Sequence, residues 1–171
     1  MRAAGAGTFR QLAAATYDGL LLVAVLMLLT ALLQALTHGE AITHATVGGF
    51  EYLYRAVLAL CVVAYFGSSW TRSGQTLGMK AWGMRLETAT GGVPRWRDAA
   101  LRLAVASPLY LLAIAGVLLL ASHRGGWLLL LACLLPLAFS FGWNAATGAG
   151  TLHDRLSRTQ MVRVPPGRAA A

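Results

Sequence analysis

Four long apolar stretches alternate with shorter polar ones along the chain. The first runs from Leu12 to Leu36, 25 residues holding one formal charge, Asp18. Tyr52 to Trp70 and Leu103 to Ala121 follow with 19 residues each, and Trp127 to Trp143 supplies 17. A helix rises about 1.5 Å per residue and the hydrocarbon core of a bilayer is about 30 Å thick, so stretches of this length are read as spans. The pattern predicts an all-α membrane protein with four transmembrane helices, over about 12–36, 52–70, 103–121 and 127–143. It forms one membrane domain over 1–164, followed by a disordered tail at 165–171. The first stretch exceeds the roughly 7 to 15 apolar residues of a cleaved signal peptide and is expected to be retained.

The polar segments add a little structure of their own. Between the second and third spans, a loop over 71–102, Trp82 to Glu87 alternates as a short strand and Gly91-Gly92 marks a turn. Pro94 then suits the first turn of a helix, with Trp96, Ala99, Ala100 and Leu103 at helical spacing, so a surface helix is expected to lead into the third span. After the fourth span, Gln160 to Val164 alternates weakly and can pair with Met84 to Glu87 as a small β element.

Composition sharpens this picture. The chain of 171 residues is 57% hydrophobic and only 12% charged, against about 25% charged in ordinary soluble domains. It nevertheless carries 14 Lys and Arg against 6 Asp and Glu. Twelve of those basic residues fall before the first span, in the 71–102 loop or after the fourth span. Arg124 alone lies in the two alternate connections, and Arg55 lies inside a span. The positive-inside bias therefore predicts both termini, and the 71–102 loop, on the cytoplasmic side. Basic residues that mark topology, with a single lysine among them, do not suggest nucleic acid. The expected partners are the bilayer, its anionic headgroups through Arg95, Arg97 and Arg102, and a second copy of the chain. Trp70 and Trp143 at the inner ends of the second and fourth spans, Trp127 at the outer end of the fourth, and Trp82 and Trp96 in the inner loop are expected in the headgroup layer.

Polar groups inside spans are the candidate chemistry. A charged Asp at the centre of a span costs about 2.5 to 3.5 kcal/mol on insertion scales, so Asp18 needs either a partner or a proton. It is read as an ion or proton site, or as one half of a structural ion pair with an arginine from another segment. Arg10 lies eight residues earlier on the same helix. Arg55 sits where its stem can snorkel. Cys61 and Cys133 have no metal spacing and read as apolar fillers. His153, Asp154 and Arg155 are consecutive, so they do not converge as a triad. With no paired carboxylates, metal cluster, nucleophile elbow or phosphate loop, neither an enzyme, a metal nor another cofactor is expected.

FRQLAAATYDGLLL at the first span, GQTLGMKAWGMRLETATGGVPRWRDAALR in the loop and TLHDRLSRT in the tail together resemble the RDD family of bacterial integral membrane proteins, over roughly residues 7 to 164. The family is named for one arginine and two aspartates. The resemblance implies Asp18 as the first aspartate and Asp154 as the second. The family arginine often lies seven residues before the first aspartate, which is Gln11 here, with Arg10 beside it. The family is usually described with about three spans, where four are counted here. The resemblance implies a bacterial inner membrane and a transport role, in which Asp18 and Asp154, balanced by Arg10, bind an ion or small solute. The alternative is a membrane scaffold in which the same charges fasten the first span to the loop and tail.

Overall fold

The computed structural model describes residues 6–37, 42–122, 126–148 and 150–164, and is mostly helical, at 75%. In chain order it contains α1 (Thr8–Leu36), α2 (His44–Val47), α3 (Phe50–Arg72), α4 (Leu77–Ala81), β1 (Met84–Thr88), α5 (Trp96–Ala121), α6 (Trp127–Thr147), α7 (Leu152–Leu156) and β2 (Thr159–Arg163). Helices α1, α3, α5 and α6 are each long and apolar enough to cross a membrane. The expected tail at 165–171, and Arg124 in the turn before α6, lie outside the described residues.

The surface helix expected before the third span does not stand apart from it. Asp98 accepts a hydrogen bond from the Arg95 backbone N–H (3.0 Å), and α5 then runs unbroken from Trp96 to Ala121. Pro108 lacks the donor for one turn, but membrane helices tolerate such a gap and α5 continues through it. Continuity fixes which residues face inward. Ala99, Arg102, Ala106, Ala113 and Gly116 are buried, a stripe repeating at three and four residues. Small residues in that stripe let helices approach closely. A Cβ on Gly116 would lie 2.6 Å from the Cβ of Cys133 on α6, and a Cβ on Gly67 of α3 would lie 2.2 Å from the Trp96 ring. Cys133 is thus a buried filler, while Cys61 is half-buried.

Burial is concentrated at one end of the bundle. The core there joins Ala6 and Ala14 near the start of α1, Trp70 at the end of α3, Met79 on α4, Met84 and Leu86 on β1, and Ala99 at the start of α5. Trp70 is only 5% exposed, so it packs inside this core instead of sitting in a headgroup layer as expected. Away from this end the long helices present exposed apolar sides, such as Leu20, Met27, Leu128 and Leu135. Water would not tolerate so much contiguous apolar surface, whereas lipid tails would cover it.

The two strands form an antiparallel pair, with Met84 opposite Arg163, Leu86 opposite Met161 and Thr88 opposite Thr159. The pairing expected from the sequence is present, with β2 one residue earlier. Met84 and Leu86 point inward and are fully buried, which is what fixes the register. Backbone hydrogen bonds tie further segments to this ribbon: Ala6 N–H donates to Met161, Val164 N–H to Gly83 and Leu86 N–H to Gly74. The ribbon therefore gathers the chain's beginning, middle and end at the buried pole of the bundle.

Candidate functional site

Two buried polar nodes occupy this pole. The first is built on Asp18, 3% exposed on α1. The chain leaving α3 doubles back, and Thr76 caps the short α4 by accepting from Met79 N–H at 3.2 Å. This turn delivers its donors to the carboxylate. Thr76 Oγ1 donates to Oδ2 at 2.5 Å, Gly78 N–H donates to Oδ1 at 2.8 Å, and Tyr65 Oη donates to Oδ1 at 2.6 Å. Asp18 is thereby held by neutral donors, one of them a backbone amide in the first turn of α4.

Gly78 makes this approach sterically allowable. A Cβ there would lie 2.4 Å from the Ala14 carbonyl oxygen and 2.9 Å from Asp18 Cγ. Gly74, at φ 70°, turns the chain beneath it, and Gln75 Nε2 donates to Met84 O at 2.6 Å. Four of the five residues of GQTLG thus have a distinct role: Gly74 turns the chain, Gln75 anchors it to β1, Thr76 caps α4 and Gly78 allows close contact with α1.

The second node is an ion pair between Arg102 on α5 and Asp154 on α7, 2.5 Å apart with both side chains almost fully buried. Arg102, expected at lipid headgroups, is instead 1% exposed because it shares the inward stripe with Ala99 and Ala106. Arg95 and Arg97 lie off that stripe and are exposed. Arg102 also donates to Thr159 Oγ1 at 2.7 Å, and its guanidinium lies 5.4 Å from the Trp70 ring centre. Asp154 accepts from Thr151 N–H at 2.9 Å and from Thr151 Oγ1 at 2.7 Å, which closes the first turn of α7.

Electrostatics here are one-sided. Burial opposes ionisation of Asp154, but Arg102, then His153 and the Thr151 hydrogen bonds, outweigh it and hold the carboxyl below its ordinary value. His153, 4% exposed, is pushed down to about 4 by burial and by Arg102, against the attraction of Asp154. It is therefore neutral at pH 7. Its Nε2 shares a hydrogen bond of 2.9 Å with Thr151 Oγ1, and its ring lies edge-on to Phe141.

Arg10, Asp18 and Asp154 are thus engaged separately. Arg10 Nη1 donates to the Trp82 carbonyl at 3.1 Å, and Phe9 packs edge-on against the same Trp82 ring. Gln11, seven residues before Asp18, shares its buried face with Ala14, Asp18 and Leu22. Its Nε2 donates to Ala6 O at 2.8 Å, and Asn144 on α6 reaches its Oε1 at 3.4 Å. Arg55 pairs with Glu51 one turn earlier on α3. Arg155 is exposed and lines an open cleft of about 550 Å³ beside α7.

The sequence pattern does not reveal Tyr65, Thr76 and Gly78 as partners of Asp18, or Arg102 and Thr151 as partners of Asp154. Arg102 has a detectable signal, its place in a stripe of small residues at helical spacing. Among the described residues, no three His, Cys, Asp or Glu side chains converge to hold a metal ion. A family model described as the RDD family matches residues 5–158. No curated protein and no solved structure shows a significant match to the chain.

Proposed function

Because the chain belongs to the RDD family and has four helices able to cross a membrane, we propose a multi-pass protein of the bacterial inner membrane, termini cytoplasmic, whose buried polar pole is a rigid platform for membrane partners. It is a scaffold or partner-binding reading, non-enzymatic, with Arg95 and Arg97 meeting anionic headgroups and self-association among the expected contacts. The observation that carries it is the engagement of both carboxylates: Asp18 accepts three hydrogen bonds and Asp154 is paired with Arg102. A carboxylate whose oxygens face N–H and O–H donors is arranged to anchor a chain segment. Three of its roughly four lone-pair sites are then taken, which makes it a poor site for a passing cation.

Transport of an ion or small solute is the second reading, and one observation favours it. Trp70 Nε1, Arg102 Nη2 and His153 Nδ1 are buried with no hydrogen-bond partner among the described residues. Each unpaired group costs about 1–3 kcal/mol unless water or a solute meets it, so a hydrated pocket through this pole is consistent with passage. Flux in proteoliposomes separates the two. The platform reading expects no ion or solute movement by the intact protein, and reduced folded yield for Asp18→Asn. Flux that Asp18→Asn abolishes while leaving thermal stability unchanged would establish transport instead.

A further inference from the structure

Beside α7 and β2, an open cleft of about 550 Å³ is lined by Gln11, Asn144, Asp154, Arg155, Arg158 and Gln160, among others. Its size lies within the roughly 300–1,000 Å³ of sites that take small molecules. Asp154 is already neutralised by Arg102. The uncompensated charges on the wall are therefore Arg155 and Arg158, both exposed and neither with a side-chain partner among the described residues. Two such guanidiniums give the wall a net positive character, and their planar forks match phosphate oxygens.

The backbone supplies a second, independent observation. Arg158 has φ 54°, and it is the one non-glycine residue with positive φ among those described. It follows the cap of α7, a position where glycine is the usual occupant because the left-handed region is costly for residues with a Cβ. Its carbonyl accepts from Ala89 N–H at 3.0 Å and its N–H donates to Arg155 O at 3.3 Å, so the strained turn is clamped in place. Strain held at the rim of a cleft marks a position where the side chain matters more than backbone ease.

We propose that this cleft binds a phosphate ester, with Arg155 and Arg158 clasping the phosphate and the Gln11, Asn144 and Gln160 side chains forming a polar floor. The ester reaches it either as an anionic lipid headgroup or as a small soluble molecule, since the chemistry is shared. The inference goes beyond the platform reading and survives its failure.

The test uses the full chain in two arms. In one, glycerol phosphate is titrated onto protein in zwitterionic detergent and followed by calorimetry. In the other, protein in phosphatidylcholine nanodiscs, with or without phosphatidylglycerol, is examined for retained lipid by native mass spectrometry. Saturable binding in either arm is expected, and the arm that shows it identifies the source. The Arg155→Gln/Arg158→Gln variant should bind about tenfold more weakly or worse, since removing a charge-assisted hydrogen bond to the phosphate costs at least a factor of that order. Arg158→Lys should retain part of the affinity, and Arg72→Gln, exposed at the end of α3 and outside the cleft lining, should retain all of it. The inference is overturned if neither arm saturates, if the double variant binds within about twofold of the parent, or if the Arg72 control loses as much.

Discussion

Replacing Gly78 by Ala tests the docking of α4 on α1 with a single methyl group. The new Cβ would sit 2.4 Å from the Ala14 carbonyl oxygen, where ordinary contact begins at 3.4 Å, so α4 must back away by about 1 Å. The Gly78 N–H to Asp18 bond, 2.8 Å long, then stretches beyond hydrogen-bonding range. Overpacking of this kind costs about 1–3 kcal/mol, and a lost bond to a charged acceptor about 1.5–3 kcal/mol. Relaxation recovers part of each, so a destabilisation of about 3–4 kcal/mol is expected, a large fraction of a typical folding free energy. The assay is chemical unfolding in detergent, monitored by tryptophan fluorescence. Gly19→Ala on α1 is the control: nothing lies within 4 Å of its Cβ, and helix propensity alone predicts a gain of about 0.5–1 kcal/mol. Equal, small effects of both substitutions would refute the close approach.

Three further outcomes follow from the second node and the cleft. Arg102→Met should destabilise by about 3–5 kcal/mol by leaving Asp154 buried without its cation, and Arg102→Met/Asp154→Asn should recover a good part of that loss; strict additivity in the unfolding free energies would deny the pair. Between pH 6.5 and about 4 the unfolded chain protonates His153 and the folded chain does not, so stability is fully present at neutral pH and falls as pH drops through that window. His153→Gln should flatten the slope in thermal midpoints there, while the loss below it, from Asp154, should persist. Arg158→Gly should raise stability by about 0.5–1 kcal/mol by relieving the left-handed turn, measured in the same unfolding assay.

The four spans are legible in the sequence because length and apolarity are properties of each stretch alone. The antiparallel ribbon is legible too, since the alternation of Met84 to Glu87 and of Gln160 to Val164 survives in the primary sequence. The partners of Asp18 are not. Two of its three donors are a hydroxyl on another helix and a backbone amide, and an amide leaves no signature in the sequence beyond the glycine that lets it come near. Five residues of α4 are also too few to show a period. Arg102 misleads for a different reason. Its charge suggests the headgroups, whereas the spacing of Ala99, Ala106, Ala113 and Gly116 places it on the inward face of one continuous helix. Position within a helical stripe decides its environment, and charge decides only its partner.

Hydrogen exchange on Asp18→Asn in detergent tests the central claim, that this carboxylate pins the returning segment to the first helix. The substitution keeps shape but replaces an anion that accepts three bonds with an amide that can accept fewer. The account predicts faster exchange at Gly78, Met79 and Lys80, extending to Leu86, with the middle of α5 and α6 unaffected. Unchanged protection at Gly78 and Met79 in a variant that has lost the carboxylate would contradict it.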